Sequence, residues 1–594
     1  MSDSFGALPL FKIRSMQFRE AILTIDGKTM ALHPNRANTF DEIYVDFKQR
    51  EEAGSSHLTV FLHPKQEVRV DRLELQFHLP LPPGARFLAN GYQSWSETRM
   101  IPVKGQIPHL RSIARRYMGF YGDEWIANIP RGKGRLHSWT YTYIEKDPAL
   151  DHGWLVGSVN ERTGFTLFLY DVKNGILTIR KDLDGVSLKH SFPALDIWIG
   201  EGAIQKVYDA WLKAGEWLPP KAPPVIGWTS WYRYFNQISE SVILENLESF
   251  SSWKKESAPH EPAVFQIDDG WQSAVGDWLK AGAVFPSGMG TMAGKIKARG
   301  LTPGLWLSPF VAAANSELAR KNPEWLLKDR QGKPLRAGWN PLWGGWFFAL
   351  DFYQDGVREY LSGVFHRVLD QWGYELLKLD FLFAAALAPP PGKTRGGVMW
   401  EVMMFLRQLM GQRRMLACGV PLGSAFGVAD YCRIGGDVHM KWTNPMLAFL
   451  RHRERVDTLA SLRSTLARFP LNGRVFHNDP DVFILRHDHQ QLSPEQQQTL
   501  LTINVLMGNI LFSSDQMEGY PDDVKVELSD ALWLRGSRIA SVKEIQPDYW
   551  RIDFDQAGGR WSAHCNLSAQ KVQAAIPGGS ILELRPWESM VLKS

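Results

Sequence analysis

The chain has 594 residues, a formal net charge of +4 without long like-charge blocks, three cysteines and 24 tryptophans. That length exceeds what one hydrophobic core holds and implies two to four domains. The charge pattern excludes a nucleic-acid or anionic-membrane footprint, and Cys418, Cys432 and Cys565 are spaced for neither a disulfide framework nor a zinc site. MSDSFGALPLFKIRSM has no basic region ahead of a long apolar run, and no apolar run reaches bilayer length, so a soluble cytoplasmic protein is expected.

In chain order, FKIRSMQF, SSHLTVFLH, EVRVDRLELQFHL, TGFTLFLYDV and ILTIRKDL alternate apolar and polar side chains. That period of two predicts an N-terminal β-sandwich over residues 1–205. After KAPPVIGW, strand-like and helical stretches alternate: VIGWTSW before ESVILENLESFSSWKK, AVFQIDD before MAGKIKARG, and PGLWLSPF before a long insertion ending in DGVREYLSGVFHRVLDQW. ELLKLDFLF, RMLACGVPL, DYCRIGGD, RVFHNDPD and NILFSSD bring the predicted strands to eight. Continuous apolar character suits parallel strands buried on both faces, and the pattern predicts a multidomain α/β chain with a central (β/α)8 TIM barrel over 206–515. Only about a dozen residues separate LACG from DYCRIGG, too few for a crossover helix, so that unit should be degenerate. YWRIDFDQ, GRWSAHCNLS and SILELRPWESMVLKS return to alternation and predict a C-terminal antiparallel β-sandwich domain over 516–594.

Functional side chains of such barrels sit at the C-terminal strand ends. Those ends offer Trp231 and Tyr232, Asp268 and Asp269, Trp306, Lys378 and Asp380, Cys418, Arg433 and Asp437, and Asp479 and Asp481. Lys378 and Asp380 interrupt the apolar run LLKLDFLFAAA, where a lone charge costs several kcal/mol. They are either a structural ion pair or the point where a strand opens into a site. No GxxxxGK[ST] loop marks a phosphate site, and HNDPD is a weak metal signature. Carboxylates beside a lysine and an arginine make a hydrogen-bond cage, and indole faces pack on the C–H face of a sugar. Cleaving a glycosidic bond needs two carboxyl groups, one as acid and one as nucleophile or base; Asp380 and Asp437 are the candidates.

The motifs GWTSWYRYF, FQIDDGWQ, GDW with FPSGM, PGLWLSPF, LKLDFLF, CGVPL, CRIGGD and HNDPDVFILR, in that order, resemble glycoside hydrolase family 36, the α-galactosidases, along essentially the whole chain. The resemblance implies a sandwich, a barrel and a C-terminal β-domain, and a retaining mechanism that uses no metal or cofactor. It makes Asp380 the nucleophile and Asp437 the acid/base. It has Asp268 and Asp269 hold the galactose 4- and 6-hydroxyls, Lys378 reach the hydroxyls at C3 and C4, and Arg433 and Cys418 lie near the C2 hydroxyl. Trp231, Tyr232 and Trp306 would wall the pocket. Trp95 of GYQSW would be either a lid over the mouth or sandwich core.

Asp380 must be ionised to attack, and Lys378 on the same strand face is expected to favour its carboxylate. Asp437 is expected to need a raised pKa. Double displacement predicts carboxyl groups about 5–5.5 Å apart. The expected activity is removal of terminal α-1,6-linked galactose from melibiose or raffinose-type sugars, with a small-molecule sugar as partner. Galactosyl transfer of the raffinose-synthase type, α-N-acetylgalactosaminidase activity and noncatalytic sugar binding are the alternatives. No segment announces an oligomer interface. Asp479 and Asp481 are expected to support the mouth without touching sugar, and the second glycine of RIGGD to loosen the acid/base loop. GWNPLWGGW, at 338–346, is either a leaving-group subsite or loop packing, with loop packing preferred.

Overall fold

The alternating N-terminal segments pair into two antiparallel sheets in the computed structural model, which describes residues 12–13, 16–34, 37–52, 54–147, 150–329, 331–576 and 580–593. The leader reading of MSDSFGALPLF falls outside the described residues. One sheet is centred on Met16–Ile25, Val68–His78 and Ile176–Leu188, the other on Ser55–Pro64, Phe192–Gly202 and Gly153–Ser158. Their inward side chains, among them Leu23, Leu73 and Ile179 from the first and Leu58, Val60 and Ile197 from the second, meet in one fully buried core. This is the expected sandwich.

Eight parallel strands follow: β1 (Val225–Thr229), β2 (Ala263–Ile267), β3 (Thr302–Leu307), β4 (Leu376–Leu379), β5 (Arg414–Ala417), β6 (Tyr431–Arg433), β7 (His477–Asp479) and β8 (Ile510–Ser513). Almost all of their residues are buried, as strands covered on both faces must be. β1 pairs with both β2 and β8, and β7 pairs with β6. The next residues, Val482–Phe483, pair with β8. The seventh strand is thus broken at Pro480 and Asp481 and serves its two neighbours with different halves, which closes the circuit. Proline lacks the amide a ladder needs, and Asp481 takes a left-handed φ of 80° with its own amide donating to Asp479 Oδ1 at 2.9 Å.

Helices cross between most strands, and several start at side-chain caps: Ser239 accepts from Val242, Thr394 from Gly397 and Asp457 from Ala460. Between β5 and β6 there is only one short helical turn, Leu422–Ala425, the degenerate unit that the spacing predicts. The long insertion between β3 and β4 contains a three-stranded antiparallel sheet, Val311–Ala313, Gly345–Ala349 and Arg336–Asn340. C-terminal strands Arg538–Gln546, Tyr549–Gln556, Gly559–Asn566 and Ser589–Lys593 form an antiparallel sheet. It docks on the barrel through Arg463 and Asp548, 2.7 Å apart, and through Ile552 and Phe554, which join the barrel's own core. Among the described residues no helix is long and apolar enough to cross a membrane.

The sandwich meets the barrel through the loop around Asn90–Thr98. Ser94 donates its amide to Val420 O at 2.8 Å. Arg468, fully buried, donates to Asn90 Oδ1 at 3.0 Å, Ser94 O at 2.7 Å, Gln93 O at 3.2 Å and Ile434 O at 3.0 Å. Replacing Arg468 by methionine strands these acceptors in a dry interior. We expect a loss of about 3–5 kcal/mol of stability, read from the urea midpoint, with activity falling at temperatures where the variant is still folded.

Candidate active site

A cavity of about 280 Å³ opens at the C-terminal ends of the strands. Trp95, Trp231, Asp268, Asp269, Trp306, Lys378, Asp380 and Asp437 of the predicted set line it. Tyr232, Cys418 and Arg433 are buried behind that lining. Cys418 Sγ accepts from Trp95 Nε1 at 3.1 Å, and Arg433 donates to Asp437 at 2.7 Å and to the Tyr232 hydroxyl at 3.3 Å.

Alternation along β4 puts Lys378 and Asp380 on the inward face and leaves Leu377 and Leu379 to the helix-covered one. One Asp380 oxygen accepts from Trp306 Nε1 at 3.0 Å and the other from the Phe381 amide at 2.9 Å. Phe381 adopts a φ of 54°, a left-handed conformation that is costly for so bulky a side chain. Its ring is held by Trp95 at 4.9 Å, Trp343 at 5.0 Å and Phe347 at 5.4 Å. The strained turn ends the strand and brings an amide onto the carboxylate.

Lys378 is not paired directly with Asp380 as the run LLKLDFLF invites. Its ammonium donates to Asp268 Oδ2 at 2.9 Å. That oxygen also accepts from Gln266 at 2.6 Å and Thr229 at 3.3 Å, so β1, β2 and β4 meet on it. Burial works against the Lys378 ammonium, but the Asp268 carboxylate overrides it and holds the group above the ordinary lysine range. For Asp380 burial wins: it pushes the carboxyl up, with Asp437 adding to the rise, while Lys378 and the Trp306 hydrogen bond pull the other way. Lys378 thus favours the Asp380 carboxylate through space without bringing it back to the ordinary range. Asp269 accepts from Trp343 Nε1 at 2.7 Å and Gln272 Nε2 at 2.6 Å, and burial pushes its carboxyl up to about 6.

Asp437 follows β6 after two glycines. Arg433 reaches it and also holds Asp479 at 3.0 Å and Asp481 at 2.9 Å. Those two aspartates are therefore committed to a guanidinium rather than grouped for a metal. The expected looseness of the Gly435–Gly436 turn is corrected by its packing. A Cβ on Gly436 would stand 2.5 Å from the Arg455 carbonyl oxygen, so this glycine serves close backbone approach. The loop is also tied at both sides of Asp437, whose carbonyl accepts from Asp457 N at 2.9 Å, while Val438 N donates to Asp481 at 2.7 Å.

Trp95 is no sandwich-core residue: the docked loop carries it into the cavity wall. Its indole lies against Gly419, where a Cβ would come within 2.9 Å of the ring and where φ is 54°. The preference for loop packing in GWNPLWGGW is also corrected, because Trp343 and Trp339 both line the cavity. Asn340 and the left-handed Gly344 fold that stretch into a hairpin that returns over the mouth, a turn signal present in its sequence. Tyr117, Tyr121, His452 and Glu454 complete much of the outer wall. Nothing local in the sequence marks them, because only docking between the sandwich and the barrel brings them there.

A barrel with carboxylates, a lysine and indoles lining one cavity at its C-terminal mouth has the layout of a barrel enzyme. The melibiase family profile matches residues 238–385. Over 165 residues the chain is 27% identical to the A type blood α-D-galactosamine galactosaminidase of Flavonifractor plautii, covering 26% of this chain and 14% of that protein. Over 121 residues it is 31% identical to α-galactosidase AgaA of Geobacillus stearothermophilus, covering 19% and 16%. The aligned segments thus span well under a fifth of those two proteins. The solved α-galactosidase TtGalA of Thermus thermophilus, in complex with p-nitrophenyl α-D-galactopyranoside, superimposes with a TM-score of 0.67 at 27% identity, covering 90% of this chain and 98% of that one. AgaA itself shares the fold at a TM-score of 0.61 and 12% identity, covering 96% of this chain and 88% of that one. Over these segments and in its fold the chain is similar to the α-galactosidases of glycoside hydrolase family 36.

The Trp306 hydrogen bond yields a test. Trp306→Phe removes a donor that favours the Asp380 carboxylate, so the pKa rises further. The ionised form is then reached later as pH increases, and the acid limb of the kcat/KM profile should move to higher pH.

Proposed function

We propose that this protein is a retaining exo-α-galactosidase that removes terminal α-1,6-linked galactose from oligosaccharides such as melibiose and raffinose. The observation that carries the reading is a single cavity in which Asp380 and Asp437 share the lining with the Asp268–Lys378 pair, Asp269 and five indoles. The Thermus relative, solved with p-nitrophenyl α-D-galactopyranoside and also with stachyose, supports it.

In this reading galactose sits with its hydroxyls on Asp268, Asp269 and Lys378 and its C–H face on tryptophan. Asp380, its oxygens oriented by Trp306 and the Phe381 amide, attacks the anomeric carbon. Asp437 gives a proton to the departing glycosidic oxygen, and the bond to the leaving sugar breaks as the bond to Asp380 forms. Asp437, now a carboxylate, then takes a proton from water. The water oxygen displaces Asp380, and galactose leaves with its α-configuration restored. Trp95 packs on Cys418, beside which this reading puts the C2 hydroxyl, so the reading expects galactose to be preferred over N-acetylgalactosamine. Cys418, Cys432 and Cys565 are free and buried, a state suited to the reducing cytoplasm, the compartment this reading assigns.

The test compares p-nitrophenyl α-galactoside, α-glucoside and α-N-acetylgalactosaminide with the wild type and Asp380→Ala. We expect the α-galactoside to be preferred and the variant to lose about 10³-fold or more. Azide should restore turnover with β-galactosyl azide as product. Activity that survives Asp380→Ala would refute the nucleophile assignment.

A further inference from the structure

The segment that ties back to Asp437 carries a side chain that the reaction above leaves unused. Glu454 lines the cavity, its side chain 4% exposed. Ser96 Oγ donates to its Oε1 at 2.6 Å, and His452 Nδ1 stands 3.5 Å from Oε2. Among the described residues no lysine or arginine pairs with it. Arg453 bonds Asp123 and the carbonyls of Ala89 at 3.2 Å and Glu97 at 2.8 Å, and Arg455 bonds Glu97 at 2.7 Å. Burial, reinforced by Asp123 and opposed by Arg453, pushes the Glu454 carboxyl up to about 7. Burial and Arg455 push His452 down to about 3, so that ring is neutral at physiological pH. A buried carboxyl with unused hydrogen-bonding capacity is costly unless something else completes it.

Its position says what could complete it. Asp457, three residues on, donates its amide to the carbonyl of Asp437, and Val456 is an exposed part of the rim. A glycosidase acid stands beside the leaving-group oxygen, so groups between it and the rim face the leaving group. The same rim includes the half-exposed Tyr117 and Trp339, their rings edge to face at 5.9 Å, an apolar surface suited to a sugar's C–H face.

We infer that Glu454 is a specificity-determining residue of this site. Ser96 holds one oxygen, and the other bonds hydroxyls of a leaving-group sugar that packs on Trp339. This rests on the α-galactosidase reading and deepens it, because it names a polyhydroxylated leaving group, as opposed to an aryl or lipid one, as what the outer cavity selects.

The experiment measures kcat/KM for melibiose and for p-nitrophenyl α-galactoside in the wild type, Glu454→Ala and Glu454→Gln, and reads the ratio of the two. Loss of one or two hydrogen bonds predicts a fall in that ratio of about 5- to 30-fold for Glu454→Ala. Glutamine, which donates and accepts, should restore it to within about threefold. A ratio that does not change in Glu454→Ala overturns the inference. So does an equal loss on both substrates, which would mark Glu454 as a support for the Ser96 loop. A wild type that cleaves neither substrate refutes the activity and the inference together, whereas an active wild type with a ratio indifferent to Glu454 refutes the inference alone. Glu454→Ser serves the same comparison should the alanine variant not fold.

Discussion

Arg468 is fully buried and directs its guanidinium to three carbonyl oxygens and an amide oxygen, with no carboxylate paired to it among the described residues. Burial lowers its pKa to about 10, yet the oxygens around it keep the cation in place. Three of the four acceptors belong to the sandwich and the fourth, Ile434, to the strand end that leads to Asp437. One side chain therefore ties the loop that carries Trp95 to the loop that carries the acid/base candidate. The cavity lies at a seam between two domains, and that buried cation is one of the groups that hold the seam together.

Negative groups outnumber positive ones within the mouth. Arg433 is shared among Asp437, Asp479 and Asp481, and Lys378 is taken by Asp268. Asp269 and Asp380 are left to indole and amide donors, and burial raises both. Such a surface lacks hydrogen-bond donors, and a sugar supplies them with each hydroxyl. Donation from the hydroxyls favours the carboxylate forms, so in the proposed reaction the substrate itself helps ionise the group that attacks it.

The frame was legible because periodicity of two, alternation of strand with helix, and strand-end chemistry are local properties. VIGWTSW, AVFQIDD and LLKLDFLF fold as strands and deliver Trp231, Asp268, Asp269, Lys378 and Asp380 to one cavity. The pairing inside the cavity was less legible. Adjacency in sequence favours Lys378 with Asp380, whereas the closed barrel brings the tip of β2 within reach of the ammonium. Gly436 looks like freedom until the Arg455 carbonyl is known to lie against it. Tyr117, Tyr121, His452 and Glu454 carry no local signal at all, since their shared environment exists only after the sandwich and barrel dock.

The break in the seventh strand has a mechanical side. β6 and β8 are not joined by one continuous ladder but by a proline–aspartate corner, and the same corner supplies Asp479 and Asp481 to Arg433. The closure of the barrel and the position of Asp437 thus share one support, the Arg433 guanidinium. Two of the three anions that Arg433 holds therefore come from the corner that closes the barrel, and the third is Asp437.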